Sequence, residues 1–199
     1  MNLFDEVDEH ASPLSPDERL GLRLPDITYR HELNQAEFDN IAKGAAWAWR
    51  RRGGLLAEAF VIELHRRMFG DVWSWAGTFS RENKRRIGVD SYEIPVRLRA
   101  ALDEARAWRD YKSFPVDEIA VRFHVSLVSI HPFPNGNGRW SRMMADLLAV
   151  RLGAERFTWA SAGEPELLSQ QGNTRARYMA ALLKAVGHDV SDLIAFARS

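Results

Sequence analysis

Apolar residues recur at intervals of three or four along most of the chain, which is the spacing of one face of an α-helix. In the segment "LLAEAFVIELHRRMF" they stand at intervals of four: Leu56, Phe60, Leu64 and Met68. In the segment "PVDEIAVRFHVSLVSI" a similar stripe contains Ile119, Phe123, Leu127 and Ile130. Further helices are predicted over residues 97–111, from near Arg139 to Gly153, and over the C-terminal segments "TRARYMAALLKAV" and "SDLIAFAR". The second stripe predicts a helix that ends just before His131.

Capping residues set the expected ends of the first and last helices. Asn34 can cap a helix start, and Glu37, three residues later, has the spacing of a capping box. This predicts a helix from Asn34 to Gly53, and Ser191 is the predicted cap of the last helix. The prolines before residue 34 predict an irregular N-terminal arm over residues 1–34, ahead of a single main domain over residues 35–199.

One segment has no helical period. The stretch "FSRENKRRIGVDSYEIPV", residues 79–96, carries β-forming residues on both sides of a polar, turn-favouring centre. It predicts a small β-hairpin flap. The predicted fold class is therefore all-α, a helical bundle with one β-hairpin before the helix-loop-helix joint that contains His131.

Composition narrows the classes of partner. Lys and Arg total 27 and so do Asp and Glu, so no overall basic field attracts nucleic acid or an anionic membrane. The absence of cysteine excludes disulfides and thiolate metal sites. The acidic start "MNLFDEVDEH" is unlike a signal peptide, and no apolar run is long enough to span a bilayer. We expect a cytoplasmic protein without nucleic-acid or membrane partners.

The densest group of chemically useful residues is "HPFPNGNGRWSR", residues 131–142. Pro132 and Pro134 end the preceding helix, while Gly136 and Gly138 can adopt the positive φ angles of a tight turn. The loop leads into a helix predicted to start near Arg139, and the amide groups of a helix start attract anions.

Three side chains of this stretch favour phosphate chemistry. His131 has the pKa range of a general base near neutral pH. Arg139 and Arg142, three residues apart in the first turns of the helix, each present a planar fork that suits phosphate oxygens. Taken singly, a helix-capping histidine or an arginine paired with a carboxylate is the more ordinary interpretation. Together they favour phosphoryl or nucleotidyl transfer. His124 lies seven residues before His131 on the same helix face, but two histidines without a third ligand are not predicted to bind metal. His65, beside Arg66 and Arg67, is predicted to lie at the surface.

The stretch resembles the signature of the Fic family, H-x-F-x-[DE]-G-N-G-R-x-x-R, at every fixed position except residue 135. The resemblance extends over residues 36–199, and within the family the chain looks most like the short bacterial group called mobile mystery protein B. It implies transfer of AMP from ATP, with Mg²⁺ or Mn²⁺, to a Tyr, Thr or Ser hydroxyl of a target protein.

The resemblance also implies a role for individual residues. His131 would accept the proton of the attacking hydroxyl. The residues implied to bind the nucleotide are Gly136, Asn137, Gly138, Arg139, Arg142 and Asn173. Tyr178 falls where the family has an aromatic residue near adenine, although a tyrosine at helical spacing is usually a core residue. The hairpin would dock the target segment, with its basic residues Arg81, Lys84, Arg85 and Arg86 as the contact surface.

Two positions bear on whether the protein is active. Asn135 stands where the family has an acidic metal ligand, and its amide oxygen brings no charge to a metal site. Thr28 and Glu32 fit the spacing of the family's inhibitory motif [ST]-x-x-x-E-[GN], although Leu33 replaces its last residue. The leading interpretation is an adenylyltransferase restrained by Glu32. The alternatives are a nucleotide-binding variant with weak or different chemistry, and a toxin-like regulator that acts with a small companion protein.

Overall fold

The computed structural model describes residues 19–81, 88–160 and 173–199. These residues form helices α1 (Arg30–Arg50), α2 (Glu58–Phe69), α3 (Ile94–Tyr111), α4 (Val116–Ile130), α5 (Asn137–Arg151), α6 (Asn173–Val186) and α7 (Ser191–Arg198). The described part of the chain contains one isolated antiparallel bridge, Leu22 to Trp73, and no sheet. The all-α prediction is confirmed.

The predicted β-hairpin is only partly covered by the described residues. Its centre, residues 82–87, lies outside them, and so do Lys84, Arg85 and Arg86. Residues 79–81 and 88–93 on either side form no strand, and α3 begins at Ile94. The last three residues of the predicted hairpin are thus the first turn of a helix, which Pro95 favours because proline is preorganised for that position.

Two compact units make up the chain: Met1–Gly53 with Val61–Thr78, and Gly54–Phe60 with Phe79–Ser199. The boundary at residue 35 stays a prediction, and residues 1–18 of the expected arm lie outside the described residues. Of the helices in the described ranges, none has both the length and the apolar composition needed to cross a membrane.

In the first unit, α1 packs closely on residues 61–69 of α2. A Cβ atom on Gly44 would lie 2.7 Å from the main-chain nitrogen of Met68, so only glycine allows this approach. The buried side chain of Asn40 donates to the carbonyl of Arg67 at 2.9 Å and accepts from the amide of Asp71 at 2.9 Å. These contacts fix α1 against α2 and the turn that follows it.

The start of α1 differs from the prediction. The helix begins at Arg30, with Tyr29 as its N-cap, and Asn34 lies inside it. Glu32 occupies the capping-box position, because its carboxylate accepts hydrogen bonds from the amides of Thr28 and Tyr29. Glu37, the predicted capping acid, instead accepts a hydrogen bond from the indole nitrogen of Trp73 at 2.7 Å. The predicted capping box fails because Glu37 forms a tertiary contact with Trp73 and does not cap the helix.

In the second unit, α4 is the helix that contacts α3, α5, α6 and α7. Its predicted stripe is buried: Ile119, Phe123, Leu127 and Ile130. Helix α5 is buried along most of its length. The last helix starts after Val190 and not with a Ser191 cap, since the Ser191 amide is bound by the Asp189 side chain. The loop of residues 131–136 thus joins two helices, α4 and α5, that pack against each other.

Candidate functional site

His131 is the residue at which α4 ends. Its amide donates to the carbonyl of Leu127 at 3.2 Å, and its backbone is left-handed, with φ 53° and ψ 57°. A non-glycine residue in this conformation costs of order 1 to 3 kcal/mol, and such residues cluster at functional sites. The helix therefore ends at this half-buried histidine, and Pro132 directly after it prevents the helix from continuing.

Two main-chain hydrogen bonds fix the segment before α3 beside this histidine. The amide of Ser80 donates to the carbonyl of Pro132 at 2.8 Å, and the amide of Val89 donates to the carbonyl of Ile130 at 3.2 Å. The bonded carbonyls are those of the residues on either side of His131. Both ends of the basic stretch between residues 80 and 89 are therefore held next to the candidate base.

Gly136 makes the turn into α5. It is left-handed, with φ 77°, and is the N-cap of α5, which begins at Asn137. The prediction of a positive φ is confirmed for Gly136 but wrong for Gly138, which lies in the first turn of the helix. The helix starts two residues earlier than predicted because one left-handed residue completes the turn. The first amides of α5 belong to Asn137, Gly138 and Arg139, and amides at this position point out of the start of a helix.

The side chain of Asn137 holds the loop together. Its Oδ1 accepts a hydrogen bond from the Phe133 amide at 3.0 Å, and its Nδ2 donates to the Phe133 carbonyl at 2.8 Å. Asn137 is buried and Phe133 is fully buried, with its ring against Phe79 and Trp140. The amide group of Asn137 is thus used within the loop, which leaves its main chain as the group able to meet a nucleotide.

Asn135, the residue at the family's metal-ligand position, is exposed. Its Oδ1 accepts a hydrogen bond from the amide of Gly136 at 2.7 Å. Residues 131–142 contain no carboxylate, and no group of three or more His, Cys, Asp or Glu residues suited to a metal ion occurs in the described ranges. One neutral oxygen that is already hydrogen-bonded does not fit a protein-held Mg²⁺ ion, which normally has one or two carboxylate ligands.

Arg142 is half-buried, and its guanidinium lies against the buried Tyr178 ring in the second unit. Burial, more than any neighbouring charge, lowers the pKa of its guanidinium, and the positive charge of Arg139 acts in the same direction. Its Nη1 atom lies 3.6 Å from the position that a Cβ of Gly138 would occupy. In the described part of this unit no carboxylate forms an ion pair with Arg142. An anion at this helix start would offset both the partly desolvated charge of Arg142 and its repulsion with Arg139.

Tyr178 and His124 lie beside Arg142. The sequence did not predict a contact of either residue with this arginine. The guanidinium carbon of Arg142 lies 5.5 Å from the centroid of the buried Tyr178 ring. The Tyr178 hydroxyl is 2.9 Å from Nε2 of His124, which is fully buried. The signal in the sequence was that His124 shares a face of α4 with His131, seven residues later. That spacing indicated that the two histidines lie near each other, but it did not predict that Tyr178 lies between His124 and Arg142.

Asp146 is a second buried polar residue near Arg142, one turn further along α5. Burial raises the pKa of its carboxyl group to about 6, against the opposing effects of Trp159 and Arg156. Its oxygens accept hydrogen bonds from the Trp159 indole at 2.8 Å and from Arg156 at 3.2 Å. Its hydrogen-bonding capacity is thus directed to residues other than Arg142.

The remaining predicted site residues lie further along the chain. Asn173 is exposed at the first position of α6, more than one turn before Tyr178. Glu32 belongs to the first unit, where hydrogen bonds from the Thr28 and Tyr29 amides lower the pKa of its carboxyl group. These contacts give Glu32 a structural function at the start of α1. Its inhibitory function stays a prediction.

Comparison with known proteins supports the resemblance. The Fic/DOC family profile matches residues 55–149. A protein adenylyltransferase Fic of Drosophila willistoni is 36% identical over 97 residues, and one of Aedes aegypti is 32% identical over 96 residues. Each match covers 47% of this chain and 19% of the relative. The chain therefore spans about a fifth of the length of these curated relatives.

Solved structures of low sequence identity share the fold. BepC of Bartonella tribocorum with bound AMPPNP has a TM-score of 0.65 at 15% identity, over 90% of this chain and 95% of BepC. Fic-1 of C. elegans has a TM-score of 0.62 at 22% identity, over 90% of this chain and 51% of that chain. None of the relatives named here bears the name mobile mystery protein B, so that assignment stays a prediction.

Proposed function

Since the Fic/DOC family profile matches residues 55–149, we propose that this protein is a protein adenylyltransferase. It transfers AMP from ATP to the hydroxyl of a Tyr, Thr or Ser side chain on a target protein. The observation that carries the proposal is the position of His131 in the loop between α4 and α5, next to a helix start that bears Arg139 and Arg142. The absence of cysteine supports action in a reducing compartment such as the cytoplasm.

The reaction is a displacement at the α-phosphorus of ATP. The hydroxyl oxygen of the target attacks phosphorus while its proton passes to the imidazole of His131, which acts as general base. The bond between the α-phosphorus and the bridging oxygen to the β-phosphate breaks, and pyrophosphate leaves. The target gains AMP as a phosphodiester, so atoms and charge balance without a redox partner.

The phosphates would be held by the start of α5. The amides of Asn137, Gly138 and Arg139 supply donors and the favourable end of the helix dipole. The guanidinium of Arg139 would meet the β-phosphate and that of Arg142 the γ-phosphate, where the half-buried cation gains a counter-charge. Asn173, at the start of α6, would contact the adenine ring.

The target segment would lie beside residues 80–89. The hydrogen bonds from Ser80 and Val89 to the carbonyls flanking His131 support this position, because they hold both ends of the stretch next to the base. An extended target segment that paired with this stretch through its main chain would bring its hydroxyl to His131 whatever the neighbouring side chains. Basic residues in the stretch, Arg81 among them, favour an acidic target surface.

ATP would bring Mg²⁺ or Mn²⁺ bound to its own phosphates, because the loop offers no carboxylate. Glu32 would restrain the reaction, as in family members with an inhibitory glutamate. This regulation is separate from its hydrogen bonds to Thr28 and Tyr29, which a glutamine at the same position could keep in part.

The proposal is tested with the variant Glu32→Gly, which lacks the proposed inhibitory glutamate, and with ATP labelled at either of two positions. ATP labelled at the α-phosphate should transfer its label to protein, whereas ATP labelled at the γ-phosphate should not. Label from the γ-phosphate alone would identify a kinase and overturn the proposal. Absence of both labels, with the protein folded and candidate targets from a cell extract present, would also overturn it.

Asn135 favours a second candidate function, a nucleotide-binding regulator with weak transfer or none. Its neutral oxygen is hydrogen-bonded to Gly136 and brings no charge to a metal site. Such a regulator would act through protein contacts, for example with a small companion protein. ATP binding without label transfer, unchanged by Asn135→Asp, would favour this candidate, and co-purification of a companion would identify its partner.

A further inference from the structure

The buried side of Arg142 is formed by polar groups that the transfer reaction does not use. His124 on α4 is fully buried, and its Nε2 atom lies 2.9 Å from the hydroxyl of Tyr178 on α6. Tyr178 is itself 6% exposed, and its ring lies beneath the guanidinium of Arg142. Three helices thus contribute one side chain each to a continuous polar contact that ends at the arginine.

The protonation states within this contact follow from burial and charge. Burial, followed by the positive charge of Arg142, lowers the pKa of His124 from 6.5 to about 3, so the imidazole is neutral. Burial raises the pKa of Tyr178, against the opposing effect of Arg142, so the phenol keeps its proton. A neutral imidazole has one donor and one acceptor nitrogen, and here only the hydrogen bond at Nε2 bears on the tautomer, because Nδ1 has no partner among the described residues.

The positive charge of Arg142 favours one direction for the hydrogen bond between Tyr178 and His124. The guanidinium of Arg142 beside the Tyr178 ring carries only donors, so its charge attracts the lone pairs of the Tyr178 oxygen. We assign the hydroxyl proton to the hydrogen bond with His124 Nε2 as acceptor, which places the imidazole proton on Nδ1, an atom with no hydrogen-bond partner among the described residues.

We propose that Tyr178 and His124 are positioning residues, which hold the guanidinium of Arg142 in the orientation required to bind the terminal phosphate of the nucleotide. A long arginine side chain has many rotamers, and fixing it in advance removes an entropic cost from ligand binding. The ring of Tyr178 supports the cation from one side, and its hydroxyl, fixed by His124, sets the rotation. This inference rests on the proposed function, because it takes the γ-phosphate of ATP as the ligand of Arg142.

The alternative is that the contact between His124 and Tyr178 has a purely structural function. A buried His–Tyr hydrogen bond can stabilise the α4–α6 contact without any effect on the ligand. The two functions differ in what Tyr178→Phe changes, since this variant keeps the ring and removes only the hydroxyl. A structural function predicts loss of stability with unchanged nucleotide preference. Positioning predicts a selective loss of affinity for nucleotides that carry a γ-phosphate.

The binding experiment compares ATP and ADP by isothermal titration calorimetry. Tyr178→Phe should weaken ATP binding roughly tenfold, the scale of a hydrogen bond to a charged group, and leave ADP affinity unchanged. Tyr111→Phe, which alters an exposed tyrosine at the end of α3, is the matched control and should change neither. His124→Leu should match Tyr178→Phe, and His124→Gln, which restores an acceptor, should recover most of the ATP affinity. Equal losses for ATP and ADP, or no loss, would overturn the inference.

A second measurement separates failure of this inference from failure of the proposed function. Nitrogen-15 NMR of the wild-type protein without nucleotide should show His124 protonated on Nδ1 only, and slow exchange of the Arg142 Nε proton that becomes faster in Tyr178→Phe. If the protein binds no ATP but shows these signals, the proposed function fails and the positioning of Arg142 stands. A proton on Nε2 of His124, or an Arg142 signal unchanged by Tyr178→Phe, would overturn the positioning itself.

Discussion

The side chain of Asn137 forms two hydrogen bonds with the main chain of Phe133, accepting from its amide at 3.0 Å and donating to its carbonyl at 2.8 Å. This pair closes the loop between α4 and α5 over the fully buried Phe133 ring. The loop between His131 and the arginines is therefore fixed before any ligand arrives. Preorganisation of this kind reduces the cost of binding and of reaching the transition state.

Replacing Asn137 by alanine should destabilise the protein. The change removes two buried hydrogen bonds and leaves the Phe133 amide and carbonyl without these partners, so we expect a loss of about 2 to 4 kcal/mol in the free energy of unfolding. Urea denaturation measures it. Asn34→Ala is the control, because Asn34 lies inside α1 and does not cap it. That variant should change stability by less than about 0.5 kcal/mol. Similar losses in both variants would contradict the assigned contacts.

Gly44 should tolerate no side chain. A Cβ at this position would lie 2.7 Å from the Met68 nitrogen and 2.8 Å from the Arg67 carbonyl carbon, and main-chain atoms cannot move aside cheaply. Gly44→Ala should therefore cost about 1 to 3 kcal/mol of stability. Gly53→Ala is the matched control, since nothing lies within 4 Å of its Cβ position. If urea denaturation gives the same stability for both variants, the close approach of α1 to α2 is wrong.

The buried His124 should make the protein less stable in acid. Its pKa is lowered from 6.5 to about 3 in the folded protein, so the unfolded chain binds the extra proton in that pH window and stability falls as pH falls below 6.5. The loss approaches about 1.4 kcal/mol per pH unit, or about 2 kcal/mol at about pH 5. His124→Gln should lack this loss.

The comparison of His124→Gln with wild type isolates this effect, because other titrating groups are common to both proteins. Asp146 acts in the opposite sense, since its raised pKa makes stability fall as pH rises from 3.8 to about 6. Free energies of unfolding measured above pH 6.5 and at about pH 5 give the difference between the two slopes. Identical slopes would show that His124 is protonated in the folded protein.

Asn135→Asp should raise metal-dependent transfer. The aspartate would add the carboxylate that residues 131–142 lack, and a metal ion at developing phosphate charge is worth several kcal/mol. We expect at least about a tenfold gain in the initial rate of label transfer at limiting Mg²⁺ in a Glu32→Gly background. Asn135→Gln keeps a neutral amide and is the control. Equal rates for the Asp and Gln variants would show that the charge at this position has no effect on the reaction.

Much of the second unit could be predicted from the sequence because the apolar positions of its helices are the positions that are buried. The apolar stripe of α4 is buried as a stripe, and its end at His131 follows from Pro132, which cannot continue a helix. The motif placed His131, Arg139 and Arg142 together. These features depend on neighbours in the sequence, which periodicity and turn chemistry describe well.

Features that depend on distant residues could not be predicted in this way. His65 was expected at the surface because Arg66 and Arg67 follow it, yet it is fully buried and its Nδ1 accepts from the Gly77 amide at 3.0 Å. The arginines turn away to pair with Glu63, while His65 lies on the same helix face as Phe69. A similar competition moved the start of α1 from Asn34 to Arg30. The partners concerned, Gly77 for His65 and Trp73 for Glu37, are distant in the sequence, so no local sequence pattern could indicate them.

The most direct test of the central claim is label transfer from ATP labelled at the α-phosphate, compared between Glu32→Gly and the double variant Glu32→Gly with His131→Asn. Asparagine tolerates the left-handed backbone of residue 131 but cannot act as the base, so the double variant should stay folded. The account predicts labelled protein with the single variant and a loss of at least about a hundredfold with the double variant, the scale of general-base catalysis. Equal labelling by both variants would contradict it.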